Sequence, residues 1–101
     1  MKTVIDIETT SWGSNPSPYI PENYLVSVGF KSEESTEYLC FKHNYHKPDV
    51  TAKYILSEQL RKTTLLIGHN IKFDLSWLLE CGFEYDGDVY DTMIYEYMIK
   101  G

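Results

Sequence analysis

An α/β fold with one mixed sheet is predicted for this chain of 101 residues by three observations. A strongly apolar strand opens the sequence, two alternating strands follow as a meander, and helical and strand patterns then alternate to the end. Residues 2–8 read as the first strand, apolar enough to lie centrally. Ser11 to Pro21 is a loop punctuated by Gly13, Pro16, Pro18 and Pro21. Leu25 to Phe30 and Thr36 to Phe41 are strands joined by a polar turn from Lys31 to Ser35. Pro48-Asp49-Val50-Thr51 resembles a helix start, and Tyr54, Ile55, Leu56 and Leu60 carry that helix to about Lys62. Thr64 to Gly68 is a short buried strand. The next helix runs from about Ile71 to Cys81 and stops at Gly82, the residue type expected just past a helix C-terminus. A strand or turn around Gly87 to Tyr90 precedes Asp91-Thr92, which cap a last helix reaching Ile99.

At this length the chain is a single domain, residues 1–101, with neither internal repeat nor linker. Nine tyrosines and ample aliphatic residues exclude a disordered class. No apolar stretch reaches membrane-spanning length, and no signal peptide opens the chain, so no membrane partner and a cytoplasmic location are expected. Cys40 and Cys81 lack metal-ligand spacing and read as free thiols in or near the core. The formal charge of -6 argues against broad duplex binding, which needs many cations facing phosphates. It leaves room for a nuclease whose carboxylates hold metal ions that meet the phosphate.

Both late helices are apolar on nearly every side. Phe73, Leu75, Trp77, Leu78 and Leu79 surround one, and Met93, Ile94, Tyr95, Tyr97, Met98 and Ile99 surround the other. The sheet covers one side only, so a partner is expected against the faces of Trp77 and Met93 to Ile99. With the chain stopping at Lys100-Gly101, the C-terminus reads as a cut inside a larger architecture.

Asp6 and Glu8 are the candidate catalytic pair. Two apart on a strand, they share one side while Ile5 and Ile7 share the other. Such crowded carboxylates are costly alone and natural around a cation, and hard oxygen ligands favour Mg2+ or Mn2+. Taken alone, Asp-x-Glu is also what a strand with a solvated face shows. Asp74 is the third acid, four residues after Asn70 and so on the same helix face. Alone it is equally a first-turn carboxylate favoured by the helix dipole, with Asn70 as the N-cap. If the strand before Gly68 runs beside the first strand, all three acids meet at the sheet edge where α/β folds bind ligands.

In order, Asp6-x-Glu8, Asn70-x-x-Phe73-Asp74 and Tyr90-Asp91-Thr92-Met93 resemble the 3'-5' exonuclease (proofreading) domain of family A DNA polymerases, within the four-carboxylate exonuclease superfamily. The start at the first strand is most similar to the bacteriophage members, which places the expected location in a bacterial host cytoplasm. The resemblance implies a ribonuclease H-like fold, a five-stranded mixed sheet with flanking helices. It further implies hydrolysis of terminal phosphodiesters at a single-stranded DNA 3' end with two divalent cations, Mg2+ or Mn2+. Asp6 would bridge both cations, Glu8 would hold the one carrying the attacking water, and Asp74 would hold the second through water. Asn70 would position the terminal nucleotide, with Thr9, Trp12, Lys72 and Phe73 as further substrate contacts. Tyr19 is another aromatic able to stack a base.

One family feature is missing: a C-terminal helix carrying Tyr or His followed four residues later by Asp. Tyr45 and Asp49 have the spacing, but Pro48 between them and their place before Asn70 make this a chance match. Asp91 reads as a helix cap. His43, His46 and His69 show no metal spacing. The alternatives are an inactive ribonuclease H-like module that docks the remainder of a split polymerase, and an exoribonuclease of the ribonuclease D type.

Overall fold

A computed structural model describes residues 1–41 and 50–93. Chain order is β1 (Lys2–Thr9), β2 (Leu25–Ser32), β3 (Thr36–Cys40), α1 (Val50–Lys62), β4 (Leu65–Gly68), α2 (Ile71–Glu80) and β5 (Asp88–Asp91). The strands form one sheet in the order β3-β2-β1-β4-β5. β1 is antiparallel to β2 and parallel to β4, β3 is antiparallel to β2, and β5 is parallel to β4. The mixed five-stranded α/β sheet expected of a ribonuclease H-like fold is therefore present. The stretch around Gly87 to Tyr90 is a genuine edge strand. The start of α1 at Pro48-Asp49, the Tyr45/Asp49 spacing, His43, His46 and the last helix beyond Met93 lie outside the described residues.

Strict alternation builds the core. Thr3, Ile5 and Ile7 are buried on one side of β1, whereas Val4, Asp6 and Glu8 are exposed on the other. Phe30 and Val28 stand directly across from Ile5 and Ile7 and extend the buried layer. Helix α1 covers this layer with Ala52, Leu56, Gln59 and Leu60, which recur on one helical face. Gln59 Nε2 donates to Thr3 Oγ1 at 2.9 Å, and Thr3 Oγ1 lies 2.7 Å from Thr63 Oγ1. This polar knot fixes the helix against the central strand without an unsatisfied amide.

Helix α2 ends as Gly82 predicts. Gly82 takes φ +92°, its N–H donates to the Leu79 carbonyl, and the Phe83 N–H reaches back to Leu78 at 2.9 Å. Phe83 is buried, completing a Schellman ending with its apolar contact.

Three expectations need correction. Trp77 is 3 % exposed and donates its indole N–H to the Pro16 carbonyl at 2.8 Å, so its face is used inside the fold and offers no docking surface. Of the apolar residues around α2, Phe73 and Leu75 are half-buried and only Leu79 is exposed. Cys40 is exposed, because β3 alternation sends Leu39 inward and leaves Cys40 on the outer side across from Ser27; Cys81 is half-buried. Asn70 occupies the N-cap position of α2 in the left-handed conformation, φ 63°, with no capping hydrogen bond from its side chain. The tight turn out of β4 demands that conformation, which asparagine tolerates better than most residues.

Candidate active site

The parallel register places Lys2 across from Leu65 and Val4 across from Ile67, so β4 ends at Gly68, just short of Asp6. There the chain turns into α2, and Asp74 in its first turn is carried back against the strand end. Glycine makes this approach possible. A Cβ at position 68 would stand 2.9 Å from Ile71 Cδ1, 3.3 Å from the Ile5 carbonyl oxygen and 3.5 Å from Asp74 Oδ2.

Asp74 is only 4 % exposed, and its Oδ2 is buried with no hydrogen-bond donor among the described residues. Burial, reinforced by the negative charges of Asp6 and then Asp91, pushes its carboxyl up to about 7. A buried carboxylate oxygen facing like charge without a donor is a costly arrangement that a cation relieves.

Glu8 points elsewhere. Its Oε1 accepts from Ser27 Oγ at 3.1 Å on β2 and from the Tyr38 hydroxyl at 3.2 Å on β3. Both strands lie on the opposite side of β1 from β4 and Asp74. Among the described residues, accordingly, no three His, Cys, Asp or Glu side chains are gathered closely enough to hold a metal ion. The strand pattern puts Asp6 and Glu8 on one side, as expected, but the Glu8 carboxylate is engaged by β2 and β3. Ser27 and Tyr38 were not foreseen as partners of Glu8; the alternation of β2, which places Ser27 directly across from it, carried that signal.

A β-bulge between Glu8 and Thr9 breaks the β1–β2 register, so that Thr9 stands across from Leu25. From there the chain turns into the 10–24 loop. Trp12 lies on this loop and is 63 % exposed; Tyr19 is exposed too. Lys72 and Asn70 are exposed and Phe73 is half-buried, all at the start of α2 near Asp74. A shallow depression of about 500 Å³ on the outer sheet face is lined by Val4, Asp6, Gly29, Lys31 and Tyr38 among others. A second depression of about 680 Å³, lined by Arg61, Phe83 and Tyr85, contains none of the candidate residues.

Asp91 holds the rear of the site. Its Oδ1 accepts the N–H groups of Asn70 and of Met93, each at 2.9 Å, so it caps the helical turn entered at Thr92 as expected and also ties that turn to α2. His69 Nδ1 lies 3.2 Å from Thr92 Oγ1.

The model of a family described as 3'-5' exonuclease, the exonuclease domain of family A DNA polymerases, matches residues 4–100. No curated protein matches the chain. The matched span takes in Asp6, Glu8, Asn70, Asp74 and Asp91. Among the described residues no helix is long and apolar enough to cross a membrane.

Proposed function

Because the chain belongs to the 3'-5' exonuclease family of family A DNA polymerases, we propose that it removes nucleotides from the 3' end of single-stranded DNA by hydrolysis dependent on Mg2+ or Mn2+, as the proofreading part of a phage-type polymerase. The observation that carries this reading is the buried, donor-less Oδ2 of Asp74, held against the negative charge of Asp6. Oxygen ligands of this kind fit hard divalent cations. Asp6 and Asp74 would hold them, with Glu8 joining after it leaves Ser27 and Tyr38. The chemistry such cations supply when bound is neutralisation of the phosphate and activation of a water nucleophile.

The chain's own residues do the rest. Trp12 offers an exposed face for stacking the terminal base. Asn70, whose side chain makes no capping hydrogen bond, would hydrogen-bond the terminal nucleotide, with Thr9, Lys72 and Phe73 as further contacts. The test is digestion of a 5'-labelled single-stranded DNA in Mg2+ or Mn2+, beside Asp6→Ala. A ladder of shortened products that vanishes in the variant is expected. A ladder unchanged by Asp6→Ala would overturn the metal-site assignment, and faster loss of an RNA substrate would favour the ribonuclease D type.

The turned-away Glu8 favours one second reading: this chain is part of a site that a further polymerase polypeptide completes. The exposed Val4, Tyr38 and Met93 then offer contact surface. Under this reading the chain alone yields no ladder, and mixing with a polymerase-like chain restores one.

A further inference from the structure

We propose that Asn23 is the positioning residue of the base-stacking subsite, acting through the backbone of Trp12. The inference rests on the exonuclease reading above and concerns how the chain presents that aromatic face. Trp12, Gly13, Ser14 and Asn15 form a tight hairpin tip. Gly13 and Ser14 both take positive φ, 59° and 64°, and Trp12 and Asn15 pair as an isolated bridge with Asn15 N–H donating to the Trp12 carbonyl at 3.0 Å. Two successive positive φ values are the mark of a type I′ turn. A tip this small cannot hold its own orientation on a long loop.

Asn23 supplies what is missing. It is nine-tenths buried beneath the loop, and every hydrogen-bonding capacity of its amide is spent there. Its Oδ1 accepts from the Trp12 N–H at 2.6 Å and from Thr10 Oγ1 at 3.3 Å. Its Nδ2 donates to the carbonyls of Asn15 at 2.8 Å and Ser17 at 2.9 Å. One side chain thus grips both strands of the hairpin and the chain beyond it. The indole of Trp77 holds Pro16 from the α2 side, giving the loop a second tether. The exposed Trp12 ring is therefore borne on a fixed backbone shortly after the β-bulge between Glu8 and Thr9, and the ordering cost of stacking is met before substrate arrives.

The test measures binding of a single-stranded oligothymidylate, ended by a hydrolysis-resistant phosphorothioate, through quenching of Trp12 fluorescence and through anisotropy of a label on the oligonucleotide. Trp12→Ala, Asn23→Ala and the double variant form a cycle. Asn23→Ala is expected to weaken anisotropy-detected binding roughly tenfold, the loss of about one stacked base. The double variant should bind no more weakly than Trp12→Ala alone, and the Mn2+ dependence of melting should match the parent. If Asn23→Ala does not fold, Asn23→Asp, which keeps the acceptor for Trp12 and removes both donors, takes its place in the cycle. Additive losses, or full binding by the Asn23 variants, would overturn the role of Asn23 alone. No oligonucleotide binding by the parent chain would instead overturn the exonuclease reading and this proposal with it.

Discussion

Asp91 Oδ1 accepts the backbone N–H of Asn70 at 2.9 Å, joining the end of β5 to the turn from which α2 and Asp74 emerge. The same oxygen caps Met93, so one carboxylate closes two chain ends. Replacing it should be costly without touching the proposed cation ligands. Asp91→Ala is expected to lower stability by about 0.5–2 kcal/mol, the range for losing a helix cap. Asp91→Asn keeps an acceptor and should cost less, while lowering the Asp74 pKa because one of its repelling charges is gone. Urea unfolding and NMR titration of Asp74 check both. An Asp74 pKa unmoved by Asp91→Asn would show that the Asp91 charge does not reach it.

The elevated Asp74 pKa has a definite sign in stability. The native carboxyl keeps its proton to about pH 7, whereas the unfolded chain releases it near 3.8. The stabilisation from native proton uptake is complete below the unfolded value and is lost as pH rises through the native one. Relative to Asp74→Asn, the parent should thus lose on the order of 3 kcal/mol between about pH 4 and pH 7. Because a divalent cation binds the ionised carboxylate, Mn2+ should restore stability to the parent most strongly above pH 7 and not to the variant. Paired unfolding curves across pH, with and without Mn2+, decide it; parallel pH profiles for the two proteins would refute the assignment.

The sheet and its edge were legible because they rest on period-two patterning, parallel crossover logic and punctuation by Gly82, all local signals. Ile5 and Ile7 announce the buried side of β1, and the opposite side then has to carry Asp6 and Glu8. What the sequence concealed depends on rotamers and on contacts distant in the chain. The choice of Glu8 for Ser27 and Tyr38 over Asp74 is one such case. Trp77 is another: its apolar helix suggested an outer face, yet a loop 61 residues earlier supplies both cover and an acceptor for its indole. Asn23 carries no local signal, since the four groups that it satisfies are assembled only by the folded loop.

Gly68 and Gly29 provide a contrast that tests how closely α2 is seated. Neither residue needs positive φ, so an added methyl group acts through space alone. At Gly29, across from Asp6, the nearest atoms to a new Cβ lie at 3.8 and 3.9 Å, ordinary contact, and Gly29→Ala should change stability by less than about 1 kcal/mol. At Gly68 the new Cβ meets Ile71 Cδ1 at 2.9 Å, and Ile71 is itself buried with little room to yield. Gly68→Ala is therefore expected to cost about 1–3 kcal/mol. The displacement that relieves the clash moves the first turn of α2 outward, and Asp74 with it, so Mn2+ affinity should fall as well. Thermal unfolding with and without Mn2+ measures both effects, and a Gly68→Ala protein with parental stability and Mn2+ response would show that α2 is not seated against the end of β4.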